Sequence, residues 1–248
     1  MADFSFQLYS ARKFPPLSDT LALLSRLGYR QVEGFGGVYE DVGAVKADLD
    51  ANGLSMPTGH FGLDQLKDKA GTLAVARGLG IETIICPFIP QERWKQTDGE
   101  WVNFARELDD FAKAYRDEGL GFAWHNHQFE FWPLESGRTP MQIILDEAPE
   151  VGWEMDVAWV VRGEDDPFEW IDRYADRIIA VHLKDIAPEG EASDEDGWAD
   201  VGHGTMNWTE LMTRLRTKTP AKHFVMEHDN PNDLERFASR SITTANSL

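Results

Sequence analysis

Four stretches in the second half of the chain end an apolar run on residues that can hold a cation or move a proton. They are AWHNHQFEF at Ala123–Phe131, GWEMDVAWV at Gly152–Val160, AVHLKD at Ala180–Asp185 and HFVMEHD at His223–Asp229. A fifth, GHFG at Gly59–Gly62, lies earlier. The four late stretches supply His125, His127, Asp156, His182, Glu227 and His228, a nitrogen and oxygen donor set suited to a borderline divalent cation. The only thiol is Cys86, so no Cys pair can hold zinc or close a disulfide. Asp156 follows GWEM and Glu227 follows FVM, which puts each carboxylate at the edge of a buried strand. An unpaired carboxylate there is costly, so each needs a cation or a fixed hydrogen-bond partner. Lys184 and Asp185 offer the competing explanation, a closed ion network with no ligand at all.

Such residues act together only if the fold brings their strand ends to one place. Short apolar segments alternate with longer amphipathic ones along the whole chain, the pattern of βα units and a parallel sheet. Strands are expected at Phe4–Tyr9, Gln31–Glu33, Ser55–His60, Thr83–Cys86, Gly121–His125, Gly152–Asp156, Ile178–Leu183 and Phe224–Glu227. The helical stretches between them include Ser18–Leu27, Val42–Ala51, Gln65–Leu79 and Trp101–Glu118, each closed by a glycine. Eight such units in 248 residues fit an α/β fold, a (β/α)8 TIM barrel spanning 1–248 as a single domain. An open doubly wound sheet would show a glycine-rich phosphate turn after its first strand, where this chain reads YSARKFPP. In a barrel the active site forms at the C-terminal strand ends, so the four stretches would converge on one half of the mouth. The acidic run at Glu189–Asp200 is expected to be a solvated loop.

Composition narrows the partners. Forty-three acidic against 24 basic residues give a net charge of −19 with no basic block, which argues against nucleic acid and anionic membranes. No apolar run is long enough to span a bilayer, and the start has no basic segment leading an apolar one. The expectation is a soluble cytoplasmic protein acting on a small molecule.

The order of motifs resembles the xylose isomerase-like TIM-barrel superfamily, and within it the branch that includes inosose dehydratase-like proteins. The likeness runs through QLYSAR, YRQVEGFGG, WHNHQFEF, VGWEMDVAWV, HLKD, VGHGTMNW and VMEHDNP. It implies a metal-dependent sugar isomerase or epimerase, with one divalent ion, Mn²⁺ first and Co²⁺, Zn²⁺, Fe²⁺ or Mg²⁺ as alternatives. By position the ligands become Asp156, His182 and Glu227. His125 stands where many epimerases carry a glutamate, so it either completes the site or contacts substrate. Chelation of a ketone oxygen and a neighbouring hydroxyl would stabilise the enediolate left by proton loss. Glu227 would be one base, and His127 or His125 would face it, with an unperturbed pKa near ~6.5.

An asymmetric His and Glu pair also suits β-elimination, so a dehydratase or lyase acting on a keto-sugar, keto-glycoside or keto-cyclitol is the alternative. A metal-free sugar-binding barrel without catalysis is a third. A DNA-cutting relative would need a richer ligand set and a basic face. Glu33, His60, Lys184 and Trp124 are expected to hold substrate, with Trp132, Trp153, Trp159 and Trp198 also near the mouth. Arg162 and His203 are the candidates for a phosphate, a substituent that the acidic charge disfavours. A homo-oligomer is possible.

Overall fold

The computed structural model describes residues 4–248. Eight parallel strands run in the order β1, β10, β7, β6, β5, β4, β3, β2. They are β1 (Phe4–Phe6), β2 (Gln31–Gly34), β3 (Ser55–His60), β4 (Thr83–Cys86), β5 (Gly121–His125), β6 (Gly152–Asp156), β7 (Ile178–Leu183) and β10 (His223–Met226). The β1/β2 seam is closed by one bridge between Gln7 and Glu33, and the Gln7 amide donates to the Glu33 carboxylate at 2.7 Å. The result is a nearly closed TIM barrel, as the alternation of elements predicts.

The outer layer holds ten helices among the described residues: α1 (Leu17–Leu27), α2 (Val42–Ala51), α3 (Leu63–Lys67), α4 (Lys69–Leu79), α5 (Asp98–Arg116), α6 (Pro140–Glu147), α7 (Val157–Arg162), α8 (Pro167–Tyr174), α9 (Trp208–Lys218) and α10 (Leu234–Ala245). In α5 the buried Trp101, Phe104, Ala105, Leu108, Ala112 and Tyr115 recur at helical spacing and cover the sheet. Helix α1 stops at Gly28, whose φ of 97° only glycine adopts without strain. The single helix expected over Gln65–Leu79 is two, because Asp68 breaks the run and caps α4 by accepting from Gly71 N. The first strand ends at Phe6 rather than Tyr9, since the Gln7 side chain accepts from Tyr9 N and turns the chain into a short 3-10 segment. The short α7 follows β6 directly and was not expected.

The acidic run at 189–200 is only partly solvated. It ends in β9 (Trp198–Ala199), which pairs antiparallel with β8 (Asp185–Ile186), and Trp198 is buried. No described helix is long and apolar enough to cross a membrane.

Candidate active site

Side chains two apart on a strand share a face, and at the mouth that face is the barrel interior. Glu154 and Asp156 on β6 therefore both point inward, as does His182 on β7 with Lys184 just beyond it. Register brings Asp156 beside His182 and His125 beside Glu154. All of these side chains are buried, and Glu33, His60 and Glu227 join them.

Two overlapping quartets have donor atoms within 4.8 Å of one another: His125, Asp156, His182 and Glu227, and His60, His125, Glu154 and His182. They share two histidines and are alternative seats for one ion. Glu154 Oε2 is already engaged, 2.7 Å from His60 Nε2, 3.1 Å from His125 Nδ1 and 3.2 Å from His182 Nε2. Such a carboxylate behind several imidazoles fixes their tautomers and orientations. His182 Nε2 also sits 2.7 Å from Glu33 Oε1, whereas its Nδ1 faces Glu227 Oε2 at 2.9 Å and Asp156 Oδ2 at 3.9 Å.

Asp156 is the N-cap of α7. Its Oδ1 accepts from Trp159 N at 3.0 Å, while its Oδ2 is buried and has no hydrogen-bond partner. Asn126 holds the backbone there, accepting from Asp156 N at 3.0 Å and donating to its carbonyl at 3.1 Å. An orphaned carboxylate oxygen facing an imidazole nitrogen and a second carboxylate fits a divalent cation. The quartet His125, Asp156, His182 and Glu227 could therefore hold a metal ion.

Protonation follows the charges. Burial pulls His60 down, but Glu33 and Glu154 outweigh it and hold the imidazole at about 9. Burial likewise lowers His182, and Glu154, Glu227 and Glu33 raise it well above the ordinary value. Burial raises the Asp156 carboxyl, offset in part by Lys184. The opposite happens to His125, which burial and neighbouring cations push well down, and to His127, which burial pushes down to about 3. Both are neutral rings near pH 7, which suits ligation by His125 but makes His127 a weak base.

A cleft of about 530 Å³ opens above the quartet, lined on its floor by His60, His125, His127, Glu227 and Asp229 and on its walls by Tyr9, Phe35, Phe88 and Trp159. The Nδ1 of His127 and the Nε1 of Trp159 are buried there without partners. His60, expected to hold substrate, lines this cleft.

Several expectations need correction. Lys184 does not line the cleft. It is fully buried, with Nζ 2.7 Å from Asp229, 3.0 Å from Glu227 and 3.6 Å from Asp156, against the faces of Trp159 and Trp198. Glu33 is also enclosed and reaches the cleft only through His60 and His182. Trp124 points the other way, into the helix layer, where it packs on Phe104 and donates to Glu130 at 3.2 Å. Glu130 also accepts from His127 N, so it fixes that turn rather than reaching the cleft. His228 turns toward Phe237. Arg162 lies on Trp198 and donates to the Asp196 carbonyl, and His203 is bound by Arg240, so neither faces the site. The residues not foreseen are Glu154, Asp229 and Gln7. The E-x-D spacing in GWEMD was the signal for Glu154.

A sequence profile described as "Xylose isomerase-like TIM barrel" matches residues 21–244. The chain belongs to that family. Among proteins similar in sequence to this xylose isomerase-like barrel is the rhizopine catabolism protein MocC of Rhizobium meliloti. It is 26% identical in an alignment of 232 positions that covers 81% of this chain and 70% of that protein. An inosose dehydratase of Geobacillus kaustophilus is 24% identical over 189 residues, 67% of this chain and 61% of the relative. Among solved structures, a sugar phosphate isomerase/epimerase from Parabacteroides distasonis superposes with a TM-score of 0.82 at 18% identity. That match covers all of this chain and 95% of the other. A probable 3-DHS dehydratase, AsbF, from Bacillus anthracis gives 0.77 at 13% identity, covering 99% of each chain. At these identities the superpositions speak for the fold alone.

Proposed function

We propose that this xylose isomerase-like barrel is a divalent-metal-dependent sugar isomerase or epimerase. The observation that carries the reading is the orphaned Asp156 Oδ2, buried with His125, His182 and Glu227 donors within 4.8 Å, beneath an open cleft. His125, Asp156, His182 and Glu227 would hold the ion, with Mn²⁺ the first choice. When bound, such an ion supplies Lewis acidity toward a carbonyl and an adjacent hydroxyl oxygen.

The chain's own groups do the rest. Glu227, which borders the cleft, takes the proton from the carbon next to the carbonyl and returns it to the former carbonyl carbon, while the hydroxyl proton passes to the other oxygen. Burial raises Glu227, but Lys184 and His182 keep it well below the ordinary range, so it is ionised in the free protein. Glu154 and Glu33 hold the imidazoles in place. His127 and Trp159 line the cleft, each with a buried ring nitrogen that has no partner, and the neutral His127 ring can donate or accept one hydrogen bond. Tyr9, Phe35 and Phe88 shield the reacting carbon from water.

A second reading is β-elimination from a keto-sugar, keto-glycoside or keto-cyclitol, favoured by relatives named inosose dehydratase. A single ionised carboxylate on one side and neutral hydrogen-bonding groups on the other suit the departure of a hydroxyl. Elemental analysis of purified protein tests both readings at once. Less than about a tenth of an equivalent of transition metal, with no activation by Mn²⁺ or Co²⁺, would overturn them. Incubation with ketohexoses and 3-keto-glycosides in D₂O then separates the two. Deuterium in a sugar of unchanged formula marks isomerisation, and loss of water or aglycone marks elimination.

A further inference from the structure

Beside the cleft, on the same face of the barrel, lies a second groove of about 350 Å³ formed by the segments that follow β4 and β5. Two indoles make its corner. Trp132 is 45% exposed and stands edge-on to Trp94, ring centres 6.2 Å apart at 70°. Trp94 in turn is fixed, stacked on Phe129 at 4.3 Å and 7°, with its Nε1 donating to the Ile89 carbonyl at 3.1 Å. Trp132 with Trp94 beside it leaves a contiguous apolar corner in water unless something covers it.

Polar atoms interrupt the aromatic walls. The Nε2 of Gln96 is buried at the groove without a hydrogen-bond partner. Lys95, Asp98 and Glu135 border it, one cation against two carboxylates, which disfavours an anionic occupant. An aromatic face meets the C–H face of a sugar ring through its negative quadrupole, while an amide donor and carboxylate acceptors serve hydroxyls at the ring's edge. The groove and the cleft meet at a pair of neighbouring rings: Phe129, which lines the groove, lies 6.3 Å from His127, which lines the cleft.

We propose that this groove is an outer saccharide subsite, taking an uncharged sugar ring joined to the one that occupies the cleft. The placing of the inner ring rests on the carbohydrate reading of the cleft; the groove's own affinity does not. The substrate class it selects is an unphosphorylated disaccharide or larger glycoside.

The test is calorimetric titration of the full protein with glucose, methyl glucoside, maltose, cellobiose and trehalose. It is repeated on Trp132→Ala, Trp132→Phe, Gln96→Ala and Asp156→Asn. At least one disaccharide should bind about tenfold more tightly than glucose, equivalent to about 1.4 kcal/mol. Trp132→Ala and Gln96→Ala should remove the preference, and Trp132→Phe should keep most of it. Asp156→Asn should keep the preference, because the groove does not depend on a metal. No disaccharide preference, or one that survives both Trp132→Ala and Gln96→Ala in proteins with wild-type circular dichroism, overturns the proposal. A metal-free protein with a Trp132-dependent preference would retain the groove and sink the reading of the cleft instead.

Discussion

Charged side chains are concentrated in two buried places, and the two are built differently. At the barrel mouth Glu33, Glu154, Asp156 and Glu227 surround His60, His182 and Lys184, yet Glu33 Oε2, Glu154 Oε1 and Asp156 Oδ2 have no hydrogen-bond partner. At the strap after β8, Arg236 binds Glu195 at 2.6 Å and Asp200 at 3.1 Å, Arg240 binds Asp200 at 3.0 Å, and neither carboxylate leaves a buried oxygen unmatched. The carboxylates there are matched as folded, which adds rigidity, and the one unmatched buried atom beside them is His228 Nε2, 3.8 Å from Glu195. Three unmatched carboxylate oxygens at the mouth are costly, which fits a binding site better than a structural ion cluster. Substitutions should therefore divide cleanly, with function lost at the mouth and stability lost at the strap.

The largest effect is expected from Asp156→Asn and Glu227→Gln. Each should reduce bound metal below about a tenth of an equivalent and lower turnover by roughly 10³-fold or more, since each removes a ligand and Glu227→Gln removes the base as well. Full metal content in both variants would refute the assigned quartet. His127→Asn should keep its metal and lose about 10²-fold in rate, because the amide preserves a hydrogen bond but not the imidazole's position. Wild-type rate in that variant would remove His127 from the site.

Glu154→Gln tests the carboxylate behind the ligands. It should weaken metal affinity by about 10–100-fold while leaving the fold intact, the usual cost of losing a group that orients metal-binding histidines. An unchanged affinity would make Glu154 part of the wall only. Affinity should also depend on pH. His182 is protonated in the free protein, and Asp156 resists ionisation, so metal uptake must release protons. Affinity should therefore rise with pH, by about tenfold per unit for each proton released. Competition with a chelator at pH 6, 7 and 8 measures it, and a flat profile would exclude His182 as a ligand.

These residues also mark how far the sequence could be read. Strands β3 to β7 fall at their expected limits, four of the five because the apolar run stops at or just before a polar group of the mouth, and β4 because Pro87 follows Cys86. His125, Asp156, His182 and Glu227, recognised as strand-end donors, do converge. Glu154 was overlooked because, between Trp153 and Met155, it reads as one polar residue in a buried strand; only counting by twos from Asp156 turns it inward. The same count explains Trp124. It neighbours His125, so it faces the helices and not the cleft. Lys184 has the inward parity but three carboxylates enclose it. That enclosure depends on Asp229 and on Trp198, which a loop brings from a distant part of the chain. The β1 to β2 seam depends on Gln7, for which no local pattern gives a sign.

The smallest effect at the mouth is expected from the strap, and it is the sharpest check on the division. Arg236 joins α10 to the loop that carries Trp198, and its side chain is 28% exposed while Glu195 and Asp200 are nearly enclosed. Arg236→Ala leaves those two carboxylates short of a partner, at a cost of about 1–3 kcal/mol, below the range for a fully buried pair because water reaches the guanidinium and Arg240 still holds Asp200. The expected result is a lower melting temperature with metal content and monosaccharide turnover within about twofold of wild type, since none of the quartet touches Arg236. Loss of metal at a temperature where the variant is still folded would mean that the strap reaches the mouth through Trp198 and Lys184. The two clusters would then have to be treated as one.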